Sequence, residues 1–322
     1  MQIISNPTQD EVKSAANALK NGHLVSFPTE TVYGLGADAT NEKAVSRIYV
    51  AKGRPKNHPV IVHISSANQL ENWAREIPEF AIKLGSAYWP GPMTLILKRN
   101  SRAFNFVTGG QENVGLRVPN QQVALALTRE FEKLGGFGIA APSANRFGSV
   151  SPTTAQAVEE ELGKFLGGED LILDDGQCQI GVESSIIDCT QVNPVVLRPG
   201  AITNEMIEEV SGLKVSLKAD GSEIRASGLL DSHYAPKAKV ILGLSAQPGD
   251  GFIALDQIPT PMGSIRLASP ACIEDYARDL YGALRKGDQL GLNKIYVVEP
   301  KGPGLAIAIR DRLGKASVGK GS

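Results

Sequence analysis

Residues 24–36 read LVSFPTETVYGLG, and this stretch decides the fold class. Three of its first four residues are apolar, and together the four favour a strand. The Pro-Thr-Glu that follows ends this strand. After a glycine-containing loop, residues 42–51 show the apolar spacing of a helix. A strand followed by a helix at this spacing predicts an α/β protein.

The same alternation continues on both sides of this stretch. Upstream, Thr8-Gln9-Asp10-Glu11 forms a capping box, and the N-terminus leads directly into a helix that ends at Asn21-Gly22. Some of the downstream connections are short, which predicts partly antiparallel pairing in a mixed sheet flanked by helices. The downstream strands are predicted at 60–64, 94–97, 114–118, 138–141, 171–173, 185–188 and 195–198, and the helices at 80–88, 121–134, 154–162 and 204–210.

The chain length predicts two domains. With 322 residues it exceeds the range in which one core keeps growing. After about residue 212 the pattern becomes polar and rich in Gly and Ser until His233-Tyr234-Ala235-Pro236. We therefore predict a large domain over 1–211, a linker over 212–238 and a small α/β domain over 239–322. In the small domain, strands are predicted at 240–244, 252–256, 264–268 and 296–299, with helices at 273–285 and 305–313.

Composition excludes several classes of protein. No apolar run reaches the roughly 18 residues that a membrane helix needs, and no signal peptide is recognisable, so we expect a cytoplasmic protein without membrane contact. Three cysteines are too few for a disulfide framework or a Cys-rich zinc site. The net charge of −1 gives no overall electrostatic basis for nucleic-acid binding.

The first candidate site is Lys52-Gly53-Arg54-Pro55. Gly53 ends the preceding helix and Pro55 favours an extended Arg54, so that the two cations project to one side. They either bind a polyanion such as a triphosphate or form a solvated helix end with favourable dipole charges.

The second candidate site follows the predicted strand at 138–141. The strand is followed by a loop of small residues that contains Ser143 and Asn145. Because these two residues lie two positions apart, both can reach one ligand. Ser151 before Pro152 predicts the N-cap of the next helix. Such a helix start is either a simple cap or an anion site.

Arg117 and Arg198 are embedded in apolar strands. A buried arginine requires an acidic partner or a ligand, so each forms either an internal salt bridge or a carboxylate site. His63 also lies in an apolar strand, where a satisfied core histidine is the more frequent case. The pair Asp174-Asp175 either coordinates Mg²⁺ or belongs to an ordinary turn.

Common signatures of other enzymes are missing. The sequence contains no GxxxxGK[ST] loop and no GxSxG elbow. Residues 34–39 match GxGxxA formally, but no acidic residue stands at the ribose position, so the match to a dinucleotide fold is weak.

Taken together, the motifs resemble the YrdC-like family. They are FPTETVYGLG at 27–36, KGRP at 52–55, HP at 58–59 with His63, APSAN at 141–145, SPT at 151–153, GVESS at 181–185 and RPG at 198–200. The continuation through HYAP at 233–236 into a small α/β domain is similar to the two-domain threonylcarbamoyl-AMP synthases. The resemblance implies a large, twisted mixed sheet flanked by helices and a small Rossmann-like C-terminal domain.

The resemblance also implies a reaction. L-threonine, bicarbonate or CO₂, and ATP with Mg²⁺ give threonylcarbamoyl-AMP and pyrophosphate, for the threonylcarbamoyladenosine modification of tRNA that separate proteins complete. It places L-threonine against Thr31, His63, Arg117, Ala141 and Ser184. It places ATP against Lys52, Arg54, His58, Asn113, Ser143, Asn145, Ser151, Arg198 and Tyr234. Two positions depart from the family pattern, because Asn113 replaces a frequent hydroxyl residue and Ser185 replaces a usual threonine.

This chemistry needs no covalent nucleophile. A carbamate formed from threonine and CO₂ would attack the α-phosphorus, and the cations would stabilise the departing pyrophosphate. We expect the linker with His233 and Tyr234 to close over the nucleotide and exclude water. The alternatives are an RNA-binding module without catalysis, and carbamoyl transfer as in hydrogenase-maturation proteins, although the further domains of those proteins are missing here.

Overall fold

Ten strands form one mixed sheet in the larger part of the molecule, as a computed structural model of the chain shows for residues 1–216, 224–228 and 233–319. Across this sheet the strands run in the order β1-β8-β2-β3-β7-β4-β6-β5-β9-β10. The strands are β1 (Gln2–Ser5), β2 (Val25–Phe27), β3 (Gly34–Asp38), β4 (Val62–His63), β5 (Met93–Lys98), β6 (Asn113–Arg117), β7 (Ile139–Ala140), β8 (Leu171–Asp174), β9 (Ser185–Asp188) and β10 (Val195–Arg198).

Helices flank this sheet. They are α1 (Gln9–Lys20), α2 (Glu42–Lys52), α3 (Glu79–Tyr88), α4 (Asn105–Thr108), α5 (Gln122–Lys133), α6 (Ala155–Leu162) and α7 (Asn204–Ser211), with a 3₁₀ turn at Ala67–Asn72. The predicted capping box of Thr8 and Glu11 is present at the start of α1. Apolar residues of α1 and α5 pack with β2 in one cluster, whereas α2, α3, α6 and α7 contribute to the main core. The predicted α/β class is confirmed.

A second, four-stranded sheet follows in the C-terminal part of the chain. All its strands are parallel, in the order β11-β14-β12-β13. Its elements are β11 (Lys239–Leu242), β12 (Gly251–Ile253), β13 (Ile265–Ala268), α8 (Ile273–Gln289), β14 (Lys294–Val297) and α9 (Leu305–Ser317). Its apolar core is continuous with Val32, Val150 and Val182 of the large sheet's loops, so that one hydrophobic cluster joins the two parts.

Parts of the predicted linker and C-terminus lie outside the described residues. These are residues 217–223, 229–232 and 320–322. The described segment 224–228 lies against the large sheet, where Ala226 packs with Ile96 and Ile186 and the side chain of Gln111 bonds both the N–H and the carbonyl of Arg225. This part of the linker is therefore fastened to the sheet.

Three local predictions were wrong. The N-terminus begins with strand β1, which pairs with β8, before α1 starts. Residues 34–38 form strand β3, antiparallel to β2, and not a loop, because the small side chains allow close pairing. Ser151 does not cap a helix, since α6 begins at Ala155 and its N-cap is Thr154, whose hydroxyl accepts the N–H of Ala157.

The close pairing around Gly36 gives a test of this fold. A Cβ at Gly36 would lie 2.8 Å from a ring carbon of Phe27 and 2.9 Å from the carbonyl oxygen of Val25. Gly36→Ala should therefore lower the free energy of unfolding by about 1–3 kcal/mol in urea denaturation. The matched change Gly282→Ala, in α8 where a Cβ meets nothing within 4 Å, should raise it by about 0.5–1 kcal/mol. Equal effects of the two changes would contradict this packing of β2 and β3.

Candidate active site

A small cavity lies at the point where the loops of the large sheet meet the end of the linker. Its volume is about 40 Å³. Most of the residues predicted to bind ligand line its wall, together with several that were not predicted. The lining residues are Thr29, Val32, Tyr33, Gly34, Arg54, Ile61, His63, Arg117, Ala141, Pro142, Ser143, Glu183, Ser184, Arg198, Ser227, Gly228, His233 and Tyr234.

Lys52 and Arg54 are both buried at the end of α2, so the solvated helix end is the wrong interpretation. Gly53 ends the helix in the left-handed conformation, with a φ of 61°. The ammonium of Lys52 donates to the carbonyl oxygens of Ser143 and Asn145, and thereby holds the β7–α6 loop. Burial moves the pKa of Lys52 well below its ordinary value.

Arg54 itself faces the cavity. One guanidinium nitrogen donates to the carbonyl of Pro59 at 2.8 Å and to the hydroxyl of Ser227 at 3.2 Å, while its buried Nε has no partner. Burial, aided by the positive charge of Arg198, lowers the pKa of Arg54 to about 10. Arg198 is thus close enough to make a charged Arg54 less favourable.

The β7–α6 loop places its polar residues at different depths. Ser143 lines the cavity. Asn145 lies behind it, where its amide nitrogen donates to the carbonyls of Arg146 and Ser149 and its Oδ1 has no partner. Ser151 is also behind the wall and donates to a carboxylate oxygen of Glu183 at 2.6 Å.

Arg117 combines the two roles that its sequence context left open. Its guanidinium makes a buried ion pair with Glu30 at 2.7 Å, and the other oxygen of Glu30 accepts the N–H of Asn120 at 2.9 Å. The Nε of Arg117 has no partner, and the residue still lines the cavity. It therefore has an internal partner and a free donor.

His63 lies beside Arg117 because β4 and β6 are parallel neighbours with these two residues in register. Burial and the adjacent guanidinium lower the pKa of His63 to about 3. The imidazole is thus neutral at physiological pH, and its Nδ1 has no hydrogen-bond partner. A neutral ring with a free nitrogen suits hydrogen bonding to a substrate.

Arg198 and Ser184 form the opposite wall. Arg198 donates to the Ser184 hydroxyl at 3.1 Å and to its carbonyl at 3.0 Å, and a further nitrogen donates to the carbonyl of Ser227 at 2.9 Å. Thr94 of β5 lies 2.8 Å from the same hydroxyl of Ser184. Arg198 is buried. It has internal hydrogen-bond partners and also lines the space where a ligand would bind.

Besides Lys52, Asn145 and Ser151, three further predicted residues do not line the cavity. Thr31 is buried and lies 2.8 Å from the hydroxyl of Thr29. His58 is partly buried and packs edge-on against Phe147, with ring centres 5.3 Å apart. Asn113 lines a neighbouring groove that the segment 224–227 covers.

Several lining residues were not predicted, above all Glu183. It belongs to the GVESS motif, but its main ionic partner, Arg312, lies 129 residues further along the chain. No local pattern could identify that pair. The participation of Ser227 was equally hidden, because it lies in a polar stretch without regular structure.

The structure offers no preformed metal cage among the described residues, where no group of three or more His, Cys, Asp or Glu side chains could hold an ion. Asp174 accepts from Tyr33 at 3.2 Å and from the N–H of Gly176, and Asp175 accepts from Gln121 at 2.7 Å. The acidic pair therefore anchors a turn.

Comparisons with known proteins cover almost the whole chain. A family profile described as telomere recombination, of the Sua5/YciO/YrdC group, matches residues 17–200. A second profile, described as threonylcarbamoyl-AMP synthase, C-terminal domain, matches residues 202–318.

Two relatives are similar over almost their full length. The threonylcarbamoyl-AMP synthase of Pyrococcus abyssi is 39% identical over 95% of this chain and 94% of its own. That of Bacillus subtilis is 37% identical over 96% and 94%. A crystal structure of P. abyssi Sua5 with L-threonine superposes with a TM-score of 0.88 at 36% identity, over 99% of this chain and 98% of the other.

Among the described residues, no helix has the length and apolar character to cross a membrane.

The burial of His63 predicts a pH effect on stability. The unfolded chain binds a proton at His63 below pH 6.5, whereas the folded protein does so only near pH 3, so stability falls as the pH decreases between these values. His63→Gln removes this contribution and should make the slope of unfolding free energy against pH shallower, by up to about 1.4 kcal/mol per pH unit between pH 5.5 and 4. Urea denaturation across this range measures the slope, and parallel curves for the two proteins would contradict a neutral, buried His63.

Proposed function

The chain belongs to the threonylcarbamoyl-AMP synthase family, and we propose that it converts L-threonine, bicarbonate or CO₂, and ATP into L-threonylcarbamoyl-AMP and pyrophosphate. The supporting observation is the cavity, in which the guanidinium groups of Arg54, Arg117 and Arg198 face one small space. Burying like charges together is unfavourable unless an anion meets them. A triphosphate and an amino-acid carboxylate are such anions.

We assign L-threonine to the end of the cavity formed by β4 and β6. Arg117 has a free Nε for the threonine carboxylate, and His63 has a free Nδ1 for the amine or hydroxyl. Ala141 and Ser184 would enclose the side chain, and Thr31, which contacts Thr29 of the wall, would support the backbone there.

We assign ATP to the other end. The phosphates would meet Arg54, Arg198 and the hydroxyl of Ser143, which line the cavity. Lys52 and Asn145 would shape the β7–α6 loop around them, because both bond its backbone. Ser151, His58, Asn113 and Tyr234 complete the proposed set of contacts.

The chemistry follows from positioning and charge. A carbamate oxygen, formed when the threonine amine captures CO₂, attacks the α-phosphorus as the bond to pyrophosphate breaks. Arg54 and Arg198 would stabilise the negative charge that develops on the departing oxygens. The reaction needs no covalent nucleophile.

Mg²⁺ enters this scheme with ATP, as part of the substrate. Magnesium commonly binds through substrate phosphates and one or two carboxylates, and it neutralises phosphate charge. Glu183 is the acid that lines the cavity, but Ser151, Tyr281 and Arg312 already occupy its oxygens.

The linker is proposed to act as a lid. A cavity of about 40 Å³ is too small for ATP, so ATP cannot enter while the lining residues Ser227, Gly228, His233 and Tyr234 stay in place. Ser227 occupies donors of Arg54 and Arg198 that we assign to phosphates. Tyr234 is buried with an unpartnered hydroxyl and a φ of 62°, a strained backbone conformation for a bulky residue. In this scheme residues 1–211 bind the substrates, 212–238 close over them, and 239–322 support the closed form.

We propose that the product serves the threonylcarbamoyladenosine modification of tRNA in the cytoplasm. The net charge of −1 supports transfer through downstream modification proteins better than tight binding of tRNA by this chain alone.

The reaction itself is the decisive test. Purified protein with ATP, Mg²⁺, bicarbonate and labelled threonine should release pyrophosphate and form the adenylate, with both dependent on threonine. Arg54→Met should reduce kcat/KM about 100-fold or more, because it removes a charge that contacts the transition state. The control Arg102→Met, which removes a guanidinium stacked on Phe137 outside the cavity, should retain the rate. Pyrophosphate release without threonine, or salt-sensitive tRNA binding in place of any release, would contradict the proposal.

The lid gives a separate prediction. Tyr234→Ala removes the buried ring that packs on Tyr281 and leaves the site open to water. We expect about tenfold more pyrophosphate per recovered adenylate, or an ATP dissociation constant raised by a similar factor. Product chromatography and calorimetry measure the two quantities. If neither changes, the linker is no lid.

A further inference from the structure

Glu183 is an acid in the wall of a cavity that otherwise presents cations. It is buried, and its carboxylate carries three hydrogen bonds. Oε1 accepts from Ser151 at 2.6 Å, and Oε2 accepts from the hydroxyl of Tyr281 and from Nε of Arg312, both at 2.9 Å. Tyr281 belongs to α8 and Arg312 to α9, so the C-terminal domain supplies two of the three donors.

The charge of Glu183 depends on these donors. Burial alone would favour the neutral acid, but the guanidinium groups of Arg312 and Arg198 hold the pKa of Glu183 at about 2. The carboxylate is therefore ionised in the wall of a site for an anion. Without a cation behind it, it would repel a phosphate in front of it.

Arg312 is placed to cancel that charge. Its side chain is fully buried, it donates a second bond to the backbone carbonyl of Glu183 at 3.3 Å, and Asp311 fixes another of its nitrogens at 2.6 Å. It does not line the cavity. It can therefore act on the substrates only through residues of the wall, of which Glu183 is its ionic partner.

We propose that the C-terminal domain completes the ATP site of the large domain. Arg312, which neutralises Glu183, and Tyr281, which donates a hydrogen bond to it, are positioning residues that hold Ser151 and the cavity wall in a form that accepts a polyanion. This inference rests on the proposed function, because it takes ATP as the ligand of the cavity. It gives the C-terminal domain a role in the reaction through a contact that the two halves of the chain make only when packed together.

The same two residues also seat the lid. The ring of Tyr234 stacks on Tyr281 with centres 5.9 Å apart, and the guanidinium of Arg312 lies 5.4 Å from the centre of the Tyr234 ring. Tyr234 is therefore packed against the same cation and the same aromatic ring that donate hydrogen bonds to Glu183. Tyr281 and Arg312 therefore contact both Glu183 and the lid residue Tyr234.

The test uses ATP and the full-length protein, with the dissociation constant measured by calorimetry so that no turnover is needed. Arg312→Met keeps the apolar length of the side chain but removes the ion-pair partner of Glu183, and should weaken ATP binding at least tenfold. Threonine, which has no net charge, should bind within about threefold of its original affinity. Adding Glu183→Gln to Arg312→Met removes the stranded charge and should restore ATP affinity to within about threefold of the unmodified protein.

A matched control is available in α8. Arg285 also reaches from the C-terminal domain to the large domain, where it pairs with Glu161 at 3.1 Å and bonds the carbonyl of Val150, but it does not contact Glu183. Arg285→Met should lower the melting temperature and leave the ATP dissociation constant unchanged. A loss of ATP affinity in both arginine variants would show that only domain packing matters, and would overturn the inference.

Two further outcomes would also overturn it: ATP binding unchanged in Arg312→Met, or a loss that Glu183→Gln does not rescue. If Arg312→Met does not fold, Tyr281→Phe, which removes one donor to Glu183 and retains the ring, should still raise the ATP dissociation constant at least threefold, and an unchanged value refutes the inference. Failure of the proposed function is separate, since it appears as absence of threonine-dependent pyrophosphate release from the unmodified protein.

Discussion

The burial of positive charge in one cavity is the constraint on which the site depends. Each buried cation needs hydrogen bonds or an opposite charge to replace the water it has lost. The chain supplies these partners but leaves some of the donors free. Lys52 bonds backbone carbonyls, Arg117 pairs with Glu30, and Arg198 bonds Ser184. Arg54 is the least satisfied, with one nitrogen bonded and Nε free. The free Nε donors of Arg54 and Arg117 belong to side chains that line the cavity, so the incomplete compensation there indicates where an anion would bind.

The architecture brings these cations together through strand pairing. His63 and Arg117 end neighbouring parallel strands in register, and Arg198 ends β10, which continues the same sheet through β9 and β5. Lys52 and Arg54 come from a helix end, and Ser143 from the loop that Lys52 ties down. Side chains at the ends of strands can vary without loss of the hydrogen bonds between the strands. A binding site can therefore form there without disrupting the sheet.

The local parts of this structure were predictable from sequence, whereas the long-range parts were not. The strands near 94–97, 185–188 and 195–198 occur as expected, and so do the helices α2, α3, α5, α6 and α7, because their apolar patterns are periodic. The short helix α4 was not predicted. Strand β3 was missed because its two glycines favour a loop in isolation, and only pairing with β2 makes it a strand. Ser151 looked like a helix cap, but a buried acid elsewhere in the chain takes its hydroxyl. The candidate site followed from motifs whose residues are close in sequence, while the pair of Glu183 and Arg312 needs the assembled fold.

The contrast between a net charge of −1 and three arginines in one cavity supports a small anion, and not a nucleic acid, as the proposed ligand. A nucleic acid responds to charge spread over a large surface, since its affinity comes from many phosphates meeting many cations at once. Here the cations are buried, and acids such as Glu30 and Glu183 limit how far their field extends. A field confined to a low-dielectric cavity acts strongly on a small anion that enters it and weakly on a polymer outside. Ser227 of the linker also accepts hydrogen bonds from Arg54 and Arg198. A ligand must therefore displace Ser227 before it can bind these two guanidinium groups.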